Sequence, residues 1–438
     1  MRTLARIGMV GVLSTLCLMA ALTLESHHVP LDRGSLAALH PTDPTTAPTS
    51  DPSSGSDPAI PLASLAPPSP SPTATPTTVP TGPSSHGDGT TPHRQVSLLM
   101  SGDLLWHDTV WESAHEDAVD HGLHRRFDFD PMLASMKPLV QGVDVAICHE
   151  EVPFATDDEH LSNYPVFAAP PEVAPWIASM GWDACTTDSN HSIDQGFDGL
   201  VRTDTLLKRA GVRYVGTFRT PAERRKPVIL TTSEGVKVGI VGGTYSLNGF
   251  SLPPDERWAV SMWDADNLIA QAKAAKEAGA DIVVVQYHGG TEYSALPNAD
   301  QVALARRLTA SPYVDLVFAQ HAHVVQPITK VNGKWVVYGM GNMVAQSDPA
   351  YPRAYEGISV RFTFTEGRHG FAVTRAAYIP TWWNHYSPGH PIRVLRVRDA
   401  LRRGVGDRAR LLEALRMTRA AVNGLNPHGD TTPGLVEN

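Results

Sequence analysis

The side chains of this sequence that could do chemistry together stand where apolar runs stop. Val314 to Pro327 reads VDLVFAQHAHVVQP, an apolar run that ends abruptly at Gln320-His321-Ala322-His323. Such a run is short enough for a buried strand. In extended backbone, side chains two apart point the same way, so His321 and His323 are expected to present two imidazoles to one point. The same punctuation recurs elsewhere. Runs end at Asp103, at His149 with Glu151, at Asn190 with His191 and Asp194, and at His288 with Glu292. Carboxylate and amide oxygens mixed with imidazoles suit a divalent transition metal, Mn, Zn or Fe, better than Ca. One or two such ions could lower the pKa of a bound water to give a nucleophile near neutral pH. A neighbouring imidazole, His191, could then protonate a leaving group. No serine nucleophile elbow and no Gly-x-x-x-x-Gly-Lys phosphate loop occurs.

Positioning these groups requires an α/β architecture, because in open α/β sheets ligands gather outside the carboxyl ends of strands. Strands are expected at 96–100, 143–147, 183–186, 236–241, 281–286 and 314–319. Helical periodicity falls between them at 106–119, 132–140, 170–180, 200–210, 264–278 and 300–308. Strand-like segments at 334–338, 358–365 and 371–378 then add an antiparallel portion. The aromatic stretch Thr381 to Tyr386 reads as a loop that packs the tail, with a roof over the site as the other reading. The Arg-rich segment from Val394 to Leu425 reads as amphipathic helix packed on the domain.

The chain has 438 residues, 42% hydrophobic and 18% charged, enough for a substantial core. A net charge of −9 argues against nucleic acid as a partner, since phosphates call for a basic face. Arg2 and Arg6 precede an apolar segment from Ile7 to Leu24, the layout of a signal peptide or signal anchor over residues 1–26. Residues 27–94 are dominated by Pro, Thr and Ser and should form a disordered linker. A folded domain is expected at 95–390 and a helical tail at 391–438. An extracytoplasmic location, secreted or tethered to the membrane, follows from that layout. Of three cysteines, Cys17 lies in the leader. Cys148 and Cys185 end apolar runs and read as small buried hydrophobes, although neighbouring strand ends could bring them close enough to pair.

An ordered set of six motifs carries a resemblance. These are Gly102-Asp103; Ile147 to Pro153; Ser189-Asn190-His191-Ser192-Ile193-Asp194-Gln195-Gly196; His288-Gly289-Gly290-Thr291-Glu292-Tyr293; Gln320 to Pro327; and Tyr338-Gly339-Met340-Gly341-Asn342. From about Val96 to Tyr378 the chain resembles the CapA-type poly-γ-glutamate capsule biosynthesis proteins, related to calcineurin-like metallophosphoesterases. The resemblance implies a four-layer α/β/β/α sandwich with a metal site at one end of its two sheets. It implies Asp103, Asn190, His288, His321 and His323 as metal ligands, joined by His149 and Glu151, and His191 as the catalytic histidine. Glu151, Asp194 and Glu292 are the further candidate catalytic groups.

Three motifs depart from the family pattern. His149-Glu150-Glu151 stands for the usual Asn-Leu-Glu, and a neutral imidazole has one free lone pair, so bridging two ions would fall to Glu151. Gln320 and Ala322 replace a His and a Pro. Asp103 lacks the Asp-x-His continuation, so that ligand is missing unless His107 supplies it. The expected partners are an anionic polymer, poly-γ-glutamate or another cell-envelope polymer, and membrane-bound capsule synthesis proteins. Two other readings are a polymer-guiding protein with a vestigial metal site and an exported metallophosphoesterase.

Overall fold

The computed structural model describes residues 93–438, with 348, 349, 427 and 429 excepted. The expected leader and almost all of the expected linker lie outside the described residues. In chain order the strands are β1 Gln95–Leu104, β2 Val145–Glu150, β3 Ala184–Thr186, β4 Arg213–Val215, β5 Val228–Thr231, β6 Lys237–Val241, β7 Ile282–His288, β8 Leu316–Gln320, β9 Ile328–Val331, β10 Lys334–Val337, β11 Asn342–Val344, β12 Glu356–Gly367, β13 Gly370–Trp383, β14 Val394–Arg396 and β15 Leu435–Glu437. The helices are α1 Asp108–Asp120, α2 Lys137–Val140, α3 Val173–Met180, α4 Gly196–Ala210, α5 Pro221–Arg224, α6 Ala265–Glu277, α7 Ala299–Ala310, α8 Val397–Arg403 and α9 Arg408–Val422. Among the described residues no helix is long and apolar enough to cross a membrane.

Two sheets face each other. One runs β14-β13-β12-β1-β2-β3-β4, with β11 added at β1 and β15 at β13; the other runs β5-β6-β7-β8-β10-β9. Strands β1 to β4 are mutually parallel, as are β6, β7, β8 and β10. Alternation along each strand decides which core a residue joins. In β1, Val96, Leu98 and Met100 meet Ile240, Val284 and Phe318 of the second sheet, while Leu99 turns outward to α1 and α3. The far face of the second sheet packs Val283, Val285 and Val317 under Leu268 of α6 and Leu304 of α7. Each fully buried Val or Leu in these layers contributes about 1.5–3 kcal/mol. The result is a four-layer α/β/β/α sandwich.

The sequence reading and the structure differ in informative places. The expected helix at 132–140 shortens to α2, because residues 130–136 form turns. The short strands β4 and β5 were not anticipated; three and four residues are too few to show a period. Strand β13 runs on through Thr381-Trp382-Trp383, so those residues are sheet, not loop. Trp383 is fully buried and donates its Nε1–H to Ala345 O at 3.1 Å, which places the cluster in packing and not over the site. Residues 391–438 supply β14, α8, α9 and β15, and both strands pair with β13.

A correction concerns the cysteines. Strands β2 and β3 place Cys148 opposite Cys185 in register, with Cα atoms 4.4 Å apart, and the two form a disulfide. Adjacent parallel strands make the pair, by the route that the strand ends left open. The bond closes a sequence separation of 37 residues. Its reduction, or the Cys148→Ala/Cys185→Ala variant, is expected to lower stability by about 2–4 kcal/mol, read as a shifted midpoint in denaturant unfolding; an unchanged midpoint would show the bond carries no constraint.

Candidate metal centre

The site forms at the carboxyl ends of β1, β2, β7 and β8. Glycine permits its closest approach: a Cβ on Gly102 would sit 2.0 Å from Gly341 O. With no Cβ there, Asp103 N–H donates to Gly341 O at 3.1 Å and Asp103 lies opposite Asn342. The first and last of the six motifs therefore meet side by side.

Two groups of donors result. Asp103, His149 and Glu151, all buried, each offer one ligand atom within 4.8 Å of the others, and so do Glu292, His321 and His323. Glu151 of the first group reaches toward the second: its Oε1 is 3.8 Å from His323 Nε2 and also 3.8 Å from the Nε2 of His288, which belongs to neither group. The His288 ring lies 4.9 Å from His149 and 4.8 Å from His321, centroid to centroid. Asn190 Oδ1 accepts from His288 Nε2 at 2.7 Å.

The two histidines of the His-x-His pair converge for a reason other than the one the sequence suggested. Strand β8 ends at Gln320, and His321 and His323 have φ of 97° and 54°. This left-handed backbone, rare outside glycine and costing of order 1–3 kcal/mol per residue, brings their rings within 5.9 Å. Gln320, where the family pattern has a histidine, accepts from Gln286 at 2.9 Å and donates to Ser101 O at 3.0 Å, tying β8 to β1. His107 does not join the donors. Its Nδ1 accepts Gln346 N–H at 3.1 Å, and it belongs to neither donor group.

Outer partners set which ring nitrogen faces inward. Thr186 Oγ1, on β3, is 2.8 Å from His149 Nδ1, which leaves Nε2 bare, buried and without a hydrogen-bond partner. Asn342 Oδ1 accepts from His323 Nδ1 at 2.8 Å. Both oxygens of Glu151, His288 Nδ1 and His321 Nδ1 also lack partners although buried. Buried polar atoms of native proteins are nearly always satisfied. Where such open atoms also converge, as in the Asp103–His149–Glu151 group, the arrangement fits a cation.

Charge leads to the same fit. Burial lowers His149 to about 4 and, with help from His323, His321 to about 3; burial and then His321 keep His288 well below the ordinary imidazole value. These three rings are neutral at pH 7, as metal ligands must be. Burial would lower His323 as well, but the Glu151 and Asp103 carboxylates raise it to about 10. Burial pushes Glu151 well above the usual carboxylate range.

Beside the donors, His191 Nδ1 and Asp194 Oδ2 are 2.7 Å apart, and Asp194 also accepts Phe167 N–H at 2.8 Å. Asn248 Oδ1 accepts from Asn190 at 3.1 Å while its Nδ2 lies 3.4 Å from the His191 ring. Asn342, Thr186 and Asn248 were not among the sequence candidates. Asn342 sat in a quoted motif and was within reach of inference; Thr186 and Asn248 carried no signal, being set by register and by a turn.

Comparison with known proteins adds the following. The family model described as bacterial capsule synthesis protein PGA_cap matches residues 97–347, more than half of the chain. Over 236 residues the chain is 27% identical to a protein of Mycobacterium tuberculosis named probable polyglutamine synthesis accessory protein, covering 50% of this chain and 58% of that one. Over 200 residues it is 28% identical to the PGA biosynthesis protein CapA of Bacillus subtilis, covering 45% and 51%. Over 279 residues it is 24% identical to the capsule biosynthesis protein CapA of Bacillus anthracis, covering 62% and 64%. The chain thus spans between about half and two thirds of the length of these curated relatives. Among solved structures, a calcineurin-like phosphoesterase of Bacillus subtilis aligns at 15% identity and TM-score 0.39, covering 75% of this chain and 97% of that one.

Proposed function

The chain belongs to the bacterial capsule synthesis protein family PGA_cap, and from that premise we propose that it is an exported, metal-dependent hydrolase-like protein acting in the synthesis, release or attachment of an anionic cell-surface polymer of poly-γ-glutamate type. The observation that carries the hydrolase reading is Glu151: buried, both carboxylate oxygens without a hydrogen-bond partner, a member of the Asp103–His149–Glu151 group and 3.8 Å from His323 of the other group. One or two Mn, Zn or Fe ions held by Asp103, His149 and Glu151 and by His321, His323 and Glu292 would supply Lewis acidity and lower the pKa of a bound water. Asp194 accepts the Nδ1–H of His191, which leaves His191 Nε2 as the atom that holds or gives a proton to the leaving group. Asn190 is fixed at both ends, by His288 and by Asn248, and orients this corner of the site. The bond cleaved is a phosphoester or a γ-glutamyl amide.

The disulfide supports export, because such bonds persist in oxidising compartments, and the apolar N-terminal run supports a secreted or membrane-tethered form near capsule synthesis partners. His149 and Gln320, standing where the family pattern has Asn and His, favour a second reading, a polymer-guiding protein with a vestigial metal site.

Elemental analysis of the chain after loading with Zn or Mn separates the two, beside His321→Ala/His323→Ala. The parent is expected to hold near-stoichiometric metal and the double variant to lose it, with cleavage of short phosphoesters or γ-glutamyl peptides following the metal. Absence of metal from both would remove the hydrolase reading and leave the polymer-guiding one.

A further inference from the structure

A protein of net charge −9 needs a local reversal of sign to hold a polyanion. One occurs on the first sheet, away from the metal centre. Arg361 of β12, Arg396 of β14, and Arg398 and Arg402 of α8 line a groove of about 330 Å³ together with Asp399 and Glu437. Asp399 is shared by Arg396 and Arg402; Glu437 is shared by Arg398 at 3.4 Å and by Arg419 of α9 at 2.6 Å. Arg361 makes no ion pair among the described residues. Four guanidinium groups of the lining thus face two carboxylates, a surplus of two positive side-chain charges, and Arg419 outside the lining takes up part of Glu437.

The fold spreads these cations along a track. Arg398 and Arg402 are four apart on one helix and share a face. Arg396 lies opposite Thr381 of β13, and Arg361 lies opposite Ala377 of the same strand. Strand rise and spacing put the ends of the row roughly 15 Å apart. None of these arginines belongs to the donor groups. The cations are all arginine, whose planar fork takes carboxylates two bonds at a time, and Glu437 already shows that geometry with Arg419, at 2.6 and 2.8 Å.

We propose that this arginine groove is a polymer-holding site, separate from the metal centre, that takes a run of carboxylates on one flexible polyanionic chain of γ-glutamyl type. The inference rests on the anionic-polymer reading of the preceding section. The groove keeps the polymer on the protein between successive encounters with the metal centre, and its hold is the sum of exposed ion pairs, weak singly and screened by salt.

The test is fluorescence anisotropy of labelled poly-γ-glutamate with the full chain and with Arg361→Gln/Arg398→Gln/Arg402→Gln. The triple variant is expected to bind at least about tenfold more weakly, and the parent to weaken by a similar factor as salt rises from low to several hundred millimolar. Circular dichroism checks that the variant is folded, and the matching triple Arg→Lys variant is expected to recover part of the affinity, since steering by charge survives the loss of the fork. Equal binding by parent and the Gln variant, or no binding by the parent, overturns the groove. Equal binding of polyphosphate through the same arginines overturns the assignment to a carboxylate chain. Neither result touches metal content or cleavage of short substrates, on which the hydrolase reading stands or falls.

Discussion

Glu151→Gln is expected to abolish metal retention while changing the stability of the metal-free protein little, relief of a buried carboxyl offsetting the lost attraction to His323. The two effects have one cause. In the metal-free chain Glu151 is a buried carboxyl group that accepts no hydrogen bond from the protein, a group whose charge burial disfavours. The amide removes the ionisable group at nearly constant volume, so nothing is lost from packing. What is lost is the one carboxylate that stands 3.8 Å from both His288 and His323. Loss of an outer partner of a metal ligand typically costs 10–100-fold in affinity, so loss of this central donor should cost at least about a hundredfold. Binding to the folded state alone stabilises by about 4 kcal/mol at a free metal concentration a thousand times the dissociation constant. Thermal unfolding with and without a chelator reads both halves: the parent should melt several degrees lower once stripped, and the variant should not respond. A chelator response of equal size in both proteins would show that Glu151 is not a ligand.

His191→Ala should leave metal content unchanged and reduce turnover about 10²–10⁴-fold, the range typical of a positioned general acid. The ring sits outside both donor groups, held by Asp194 Oδ2 at 2.7 Å and packed edge-on against Phe167 at 4.9 Å. Its loss should hurt most for substrates with poor leaving groups and least for those whose leaving group departs without a proton. Asp194→Asn should fall between, because the amide still fills the space but no longer fixes Nδ1 as the protonated nitrogen. Comparing kcat for an activated and an unactivated substrate across the three proteins is the measurement. A deficit of equal size for both substrates would assign His191 to binding and not to proton transfer.

How much of this was legible before the structure follows from where information sits in a sequence. The alternation of strands and helices was readable because the buried parallel strands are apolar runs with abrupt ends, and α3 and α4 end at Gly181 and Gly211, whose φ of 102° and 91° suit glycine. The donors could be gathered because each follows such an end. Their mutual arrangement could not. The convergence of His321 and His323 depends on left-handed backbone at both, whereas sequence spacing suggested strand alternation. The Cys148–Cys185 bond depends on the register of two parallel strands, which no local pattern specifies. The arginine groove escaped notice for the same reason: Arg361 and Arg402 are distant in sequence and meet only through the order of β12, β13 and β14.

The two donor groups also differ in how they face water. Asp103, His149 and Glu151 are all buried, whereas Glu292 leaves 46% of its side chain exposed beside the buried His321 and His323. Access, not donor type, then sets their kinetic character. The outer seat has a carboxylate that can swing away into solvent and release its hold one bond at a time. A metal held by the fully buried group would exchange more slowly than one held beside Glu292. Residence would then be graded with depth, and a shortage of metal would half-empty the site before it emptied it.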